Sequence, residues 1–412
     1  MLEQFFSCPV VLQRLHIGPL GPYIDIFATV LSERGYARRT IRRQIQIISY
    51  LNRWLHRLQL SVKELNEGKI AKFIQQRRRR CYIHRGDAPT LRLFVEHLQD
   101  INVIPTPIPK IDDSELGRIE RSFVKYLVGE RKLSQSSLYN TLPYVRQFLT
   151  KRFGKGPILL KKLCPSDITN FILQYAHSLS PGRAKLMVWA LRSFFRFLYL
   201  QGNIDTDLAA AVPTVPNWKF ATIPKYVSRG QVERLLKSCN QNTITGQRDY
   251  TILLFFARLG LRASEVVNMT LDDIDWEAGE IMIRGKGSRQ DRLPLPKDVG
   301  KALVAYLRHG RPSCSSRQVF IRIKAPRRGF IGASAIRSLV GRAFERAGVQ
   351  APQRGSHILR HSLATEMLRK GASLAEISEI LRHKQLNTTE IYIKINLEAL
   401  RALAQGWPGG GT

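Results

Sequence analysis

The 412-residue sequence predicts a mainly helical fold with a small β-sheet, laid out as helical units followed by a mixed α/β unit. Three observations predict it. Apolar residues recur at three- and four-residue spacing in short blocks, the period of helices that bury one face. Two stretches with three prolines each, "VIPTPIPKID" at 103–112 and "VPTVPNWKFATIPK" at 212–225, lack helix donors and stiffen the path, as linkers between packed units do. Two strand-like runs, "EIMIRG" and "DRLPLP", flank Gly285-Lys286-Gly287 and read as a hairpin or small sheet. The units that follow are residues 1–104, 113–204 and 224–412.

The first two segments align on one another. "LSERGYARRTIRRQIQIISYL" from Leu31 matches "VGERKLSQSSLYNTLPYVRQF" from Val128, pairing Ile41 with Leu138, Ile45 with Leu142, Ile48 with Val145 and Leu51 with Phe148. "LNEGKIAKFI" then matches "LCPSDITNFI", and "LRLFVEHLQDINVI" matches "LRSFFRFLYLQGNI", while the offset drifts only from 97 to 98 to 100. Any two amphipathic helices can be aligned, but three blocks in one order at near-constant spacing point to a duplicated helical bundle.

The third segment opens with Ser228 as N-cap of a helix over "GQVERLLKSC". An apolar helix, "DYTILLFFARLGLRASEVVNM", comes next, then the hairpin. In "GSHILRHSLATEMLRKG" Ser356 is expected to cap a helix beginning near His357, and Gly371 to end it. Ser373 and Glu376 form a capping-box pattern for "LAEISEILR", and a further helix after "NTT" carries Tyr392.

Sixty-five Lys and Arg against 32 Asp and Glu give a net charge of +33, a statement about partners: the usual polyanion is nucleic acid, a membrane surface the weaker alternative. The dense run Arg77, Arg78, Arg79 and Arg80 is a candidate DNA contact, although such runs are more often solvated faces. No segment reaches about 18 apolar residues, so no transmembrane helix is expected. The opening "MLEQFFSCPVVLQRL" has Glu3 and no basic stretch, so it does not read as a secretory signal. Five widely spaced cysteines without C-x-x-C indicate neither a zinc knuckle nor a disulfide framework, and a cytoplasmic place fits.

Candidate chemistry gathers in the third segment: Arg262 in "GLRASE", Lys286 in "RGKGSRQDRLPLP", His357 and Arg360 in "HILRH", His383 in "LRHKQLNTTEIY", and Tyr392 at its end. Singly, each has a plainer reading: a surface arginine, a hairpin turn, a half-buried tyrosine. Lys286 is not in a Walker loop, since Gly287 stands where Ser or Thr would bind magnesium. His357 and His361, four apart, could hold a metal, whereas His357 and Arg360 could close on a phosphate.

Together, in order and spacing over residues 226–395, these motifs resemble the tyrosine recombinase family, also called the phage or λ-integrase family, which includes the Xer and Cre recombinases. Residues 113–204 resemble the family's helical, SAM-like core-binding domain. The resemblance implies a C-shaped clamp on DNA and a phosphate site rather than a metal site. The chemistry agrees: a zincin helix needs H-E-x-x-H, and Ile358 stands in place of the glutamate. Leu381-Arg382-His383 departs from the family's frequent Leu-Gly-His, at a position read as outside the catalytic set. The duplicated amino-terminal segment is the larger departure.

The roles implied are these. Arg262 and Arg360 bind the non-bridging phosphate oxygens, for which guanidinium forks are suited. Tyr392 attacks phosphorus, His357 takes and returns the phenolic proton, Lys286 protonates the leaving 5′ oxygen, and His383 hydrogen-bonds the phosphate. Glu265 orients Arg262 or Lys286. A 3′-phosphotyrosyl link would keep the bond energy, so neither metal, ATP nor cofactor is expected. The implied partners are duplex DNA with specific recombination sites and a homotetramer in the synaptic complex, with companion recombinases left open. The role expected is movement of a mobile element, with Xer-like dimer resolution as the alternative. A type IB topoisomerase shares the chemistry, but the core-binding segment and the apolar stripe Leu397, Leu400 and Leu403, suited to docking on a neighbouring protomer, favour a recombinase. A catalytically idle DNA-binding protein would lack one of the six residues, and all are present.

Overall fold

A computed structural model describes the chain except residues 108–111, 155, 216–224, 286–288, 352–354, 384–388 and 396–412. Lys286, parts of both proline-rich stretches and the Leu397, Leu400, Leu403 stripe therefore lie outside the described residues. The chain divides into two compact units, residues 1–106 with 223–412, and residues 107–222. Among the described residues, the first unit contains two separate apolar cores and a small third cluster, and the second has one core.

Residues 1–104 form helices α1 (Pro9–His16), α2 (Gly21–Glu33), α3 (Arg38–Arg57), α4 (Glu67–Arg78) and α5 (Asp87–Asp100). Helix α3 follows from its sequence: Ile41, Ile45, Ile48, Leu51 and Leu55 recur every three or four residues and are buried, while arginines occupy the other face. Asn66 starts α4, its side chain accepting from the Lys69 N–H at 3.0 Å.

In residues 107–222 the helices are α6 (Glu115–Gly129), α7 (Gln135–Phe153), α8 (Pro165–Ala176) and α9 (Pro181–Leu200). They run in the order of α2 to α5. The residue pairs expected from the sequence alignment lie on matching faces: Ile41 and Leu138, Ile48 and Val145, Leu51 and Phe148 are all buried, with Leu142 partly so. Left-handed residues also correspond, Gly35 (φ 76°) with Lys132 (φ 51°) and Asn102 (φ 56°) with Gly202 (φ 66°), so the turns repeat as well as the helices.

The third segment is built on α11 (Ile244–Leu259). Its residues Ile252 to Phe256 are at most 1% exposed, as for a helix apolar all round and enclosed by others. Helix α10 (Arg229–Lys237) packs on it, started by a capping box in which Ser228 and Gln231 exchange hydrogen bonds. After α12 (Ala263–Asn268) come β1 (Ile274–Asp275), β2 (Glu280–Arg284) and β3 (Gln290–Pro294), which make, among the described residues, an antiparallel three-stranded sheet in the order β1-β2-β3. Ile281 and Ile283 alternate into the core, as a half-buried strand requires. Helices α13 (Lys297–Ala305), α14 (Ala333–Arg346), α15 (Ser356–Arg369) and α16 (Leu374–Ile380) follow, then a short 3₁₀ helix, Glu390–Ile395. Ala364, Ile377, Leu381 and Tyr392 form the small cluster joining α15, α16 and that last turn.

Candidate active site

The first component is a break in an apolar run. The stretch expected as one helix is two, because Gly260 adopts φ +58°, ψ 30° and ends α11. A Cβ there would also meet Leu381 Cδ2 at 2.7 Å. The chain re-enters helix at α12 with Arg262 as N-cap, not a residue on the same helix as Glu265. Glu265, only 4% exposed, accepts from the Arg262 backbone N–H at 2.7 Å and, through its other oxygen, from Arg262 Nη1 at 2.7 Å. Glu265 therefore orients Arg262 through both backbone and side chain.

The second component is Arg360, on α15. Its guanidinium is buried and donates to the carbonyl oxygens of Gly260 and Leu381, joining the end of α11 to the end of α16. Helix α15 starts differently from expectation: Ser356 is its first residue and is buried, the N-cap is Gly355 in an extended conformation, and no side chain caps it. Gly371 does end it, at φ +88°. Burial first, then the charges of Arg262 and Arg382, pushes Arg360 down to about 10, so it remains a cation at neutral pH.

Arg382 corrects the sequence reading. It lies inside the arginine array rather than apart from it, at φ +52°, with its side chain 4% exposed. Its Nη2 donates to Glu265 Oε2 at 2.9 Å, and its carbonyl accepts from Arg262 Nη2 at 3.3 Å. A buried guanidinium without a carboxylate would be strongly unfavourable, and Glu265 serves two arginines at once. Burial works to raise the Glu265 carboxyl, but Arg382 and Arg262 more than offset it and hold it below the usual range.

The histidines and the tyrosine complete the site. His383 Nδ1 lies 2.7 Å from the buried Thr389 hydroxyl, and burial together with Arg360 and Arg262 pushes its imidazole down to about 4. His357 faces solvent on the first turn of α15; the surrounding protein and the cations Arg360, Arg262 and Arg337 hold it below its ordinary value. Tyr392 is fully buried, and burial raises its phenol to about 12 against the pull of Arg360. Its hydroxyl lies 2.8 Å from Nδ1 of His361, not of His357, with the two rings 5.6 Å apart. Burial and the neighbouring His357 and Arg360 push His361 down to about 4. The hydrogen bond thus joins a protonated phenol to a neutral imidazole, and the tautomer of His361 decides which of the two donates.

Arg262, Glu265, Arg360 and His383 thus converge on the turn Leu381–His383, with Tyr392 beside them through His361. Lys286 is outside the described residues. Arg77 to Arg80 lie at the end of α4 and just beyond it, within the fold of residues 1–104. Sequence reasoning weighed His361 only as a metal ligand and set Arg382 outside the site. The first stands beside Arg360 in a motif already singled out; the second was visible only as a departure from a glycine. Chemically, two guanidinium groups held by one shared carboxylate, a third buried beside them, neutral imidazoles and a protonated phenol are groups suited to an anion.

Residues 225–398 match the Phage integrase family. A Sinorhizobium fredii protein described as an integrase/recombinase, y4rA, is 42% identical over 410 residues, covering 99% of each chain. The tyrosine recombinase XerC of Oceanobacillus iheyensis is 30% identical over 292 residues, 68% of this chain and 92% of its own. Among solved structures, the XerH site-specific recombinase bound to a palindromic difH substrate, a post-cleavage complex, aligns with a TM-score of 0.56 at 20% identity, covering 77% of this chain and 89% of its own. Identity sustained over nearly the whole length of one relative, and a shared fold with another, agree with the arginine array and its tyrosine: the chain belongs to the phage integrase family, the tyrosine site-specific DNA recombinases.

Proposed function

We propose that the chain cleaves and rejoins duplex DNA through Tyr392, with Arg262, Arg360, His357, His383 and Lys286 as the groups acting on the scissile phosphate. The observation that carries this reading is the Arg262–Glu265–Arg382 network with Arg360, closed around Leu381–His383 beside the Tyr392–His361 pair. Arg262 and Arg360 each spend part of their donors on protein oxygens, which holds both guanidinium groups in place and leaves their remaining N–H groups for an anion. Attack by the Tyr392 oxygen forms the P–O(Tyr) bond and breaks the P–O5′ bond. The phenolic proton goes to a neutral imidazole: His361, whose Nδ1 lies 2.8 Å from the hydroxyl, is the first acceptor in this reading, and His357 is the acid–base group carried over from the family motif. Lys286, carried over from the family motif, returns a proton to the 5′ oxygen. Reversal by a second strand's 5′ hydroxyl completes exchange with no net loss of bond energy.

Partner and context follow from the same reading. The XerH relative was solved on a difH substrate, and the net charge of +33 suits a polyanion. We read residues 1–104, 113–204 and 224–412 as three working domains, the first two as DNA-binding bundles, the assembly as a tetramer on paired sites, and the role as movement of a mobile element. The test is a nicked duplex that traps the adduct. Wild-type protein should leave a protein–DNA band that survives boiling in detergent, in EDTA and without ATP. Arg360→Ala should reduce its rate by about 10²-fold or more, the effect of losing one oxyanion donor. A requirement for divalent metal would overturn the mechanism.

A further inference from the structure

The turn between α2 and α3 meets a distant part of the chain. The carbonyl oxygen of Arg34 accepts a hydrogen bond from the backbone N–H of Arg327 at 2.8 Å, within the compact unit that holds residues 1–106 and 223–412. The Arg327 side chain lies across Gly35: a Cβ at that glycine would meet Arg327 Cδ, Nε at 2.6 Å and Cγ at 2.8 Å.

The second bundle provides an internal comparison. Its matching turn reads Glu130-Arg131-Lys132 where the first reads Glu33-Arg34-Gly35. Lys132 takes the left-handed conformation at φ 51°, as Gly35 does at φ 76°, so this turn accommodates a side chain. Both turns are closed by the next residue, Tyr36 N–H donating to the Leu31 carbonyl at 3.1 Å and Leu133 N–H to that of Leu127 at 3.0 Å. The approach of Arg327, and not the turn alone, therefore calls for glycine at position 35.

The other side of the contact is firmly built. Residues 322–328 form a loop closed at its base by the Ile321–Gly329 bridge and by the Arg322 N–H, which donates to the Arg328 carbonyl at 2.9 Å. Buried Arg248 donates to the Ile321 carbonyl at 3.2 Å and lies over the Phe330 ring at 5.2 Å, while the Tyr306 hydroxyl accepts from the Ile321 N–H at 3.0 Å. Charge works against the contact. Residues 33–39 hold three arginines and one carboxylate, and residues 322–328 hold three arginines and a lysine. The hydrogen bond that joins them is between uncharged backbone groups.

We propose that the α2–α3 turn of the first bundle and the 322–328 loop of the third segment are a docking interface between two parts of one chain, held by backbone groups against mutual repulsion and tightened when those cations are screened. It seats the first bundle on the stretch that leads through α14 to His357 and Arg360. The inference concerns the protein free of DNA and goes beyond the recombinase reading, on which it does not depend.

Hydrogen–deuterium exchange of the full chain tests it. Asparagine tolerates a left-handed backbone, so Gly35→Asn adds bulk against Arg327 with little strain in the turn. Exchange of the Arg327 amide should quicken by about tenfold or more in this variant, while the amides of α3 keep their protection. Adding Arg327→Ala, which removes the three obstructing atoms, should restore protection of the residue 327 amide after correction for intrinsic rates. In the wild type, raising salt from about 50 to about 300 mM should slow exchange there, because it screens like charges. Unchanged exchange at residue 327 in Gly35→Asn overturns the interface. So does a double variant that fails to regain protection, whether or not α3 is protected, since the glycine would then serve the turn alone. Exchange that fails to slow with salt overturns the role given to charge.

Discussion

Arg382 is the residue through which the site differs most from what its motifs suggest. It satisfies half of Glu265, and its carbonyl receives Arg262, so it acts on the phosphate site through another arginine. Its left-handed backbone suits glycine, so Arg382→Gly should fold without strain. We expect the single-turnover cleavage rate to fall roughly tenfold, equivalent to about 1.4 kcal/mol of transition-state stabilisation, with DNA affinity little changed. Equal losses of rate and affinity would make Arg382 a binding residue instead. Glu265→Ala should instead cost stability, about 3–5 kcal/mol by denaturant unfolding, because it leaves the Arg382 guanidinium buried without a carboxylate. Motif order and residue type made Arg262, Arg360, His383 and Tyr392 legible in the sequence. His361 and Arg382 were not, because their roles come from contacts between positions 31 and 117 residues apart.

At the scale of elements, short-range signals other than the Ser356 cap were read well and long-range ones poorly. The Ser228 N-cap and the Ser373–Glu376 capping box are local hydrogen bonds, and both form. The break of the apolar run at Gly260 was missed because an apolar pattern continues through it, while the left-handed turn is set by packing of Leu381 and Leu363 against the glycine. Gly260→Ala should therefore lower stability by more than about 1 kcal/mol, since it adds both backbone strain and a clash. The cluster of α15, α16 and the last 3₁₀ turn should also respond to acid. His361 and His383 have folded values near 4, below the ordinary 6.5, so the unfolded chain binds more protons between those limits. The stability they contribute is fully present above about pH 6.5 and lost as pH falls toward about 4. Melting temperature should drop across that window, and His361→Gln should make the drop shallower; identical pH profiles would refute the buried, neutral state of His361.

For the whole molecule, the two bundles show how far repetition can be seen in a sequence. Offsets of 97, 98 and 100 between aligned blocks reappear as matching helices and matching left-handed turns. What the alignment did not reveal is why one turn carries Gly35 where the other carries Lys132, because that depends on the approach of Arg327 from the third segment. With an excess of 33 positive charges, DNA affinity should fall by about 10³ or more between 50 and 200 mM salt if six or more phosphates are neutralised. A nearly salt-independent affinity would argue against an extended backbone contact.

The nucleophile is the central claim, and one substitution addresses it. Tyr392→Phe removes the hydroxyl that meets His361 at 2.8 Å and leaves the buried ring in place, so fold and DNA binding should persist. On a nicked duplex that traps the covalent intermediate, wild-type protein should give a detergent-resistant protein–DNA band, and Tyr392→Phe should give none at any enzyme concentration. A covalent band of wild-type intensity from Tyr392→Phe would contradict the assignment of the nucleophile and, with it, the chemistry assigned to the arginine array.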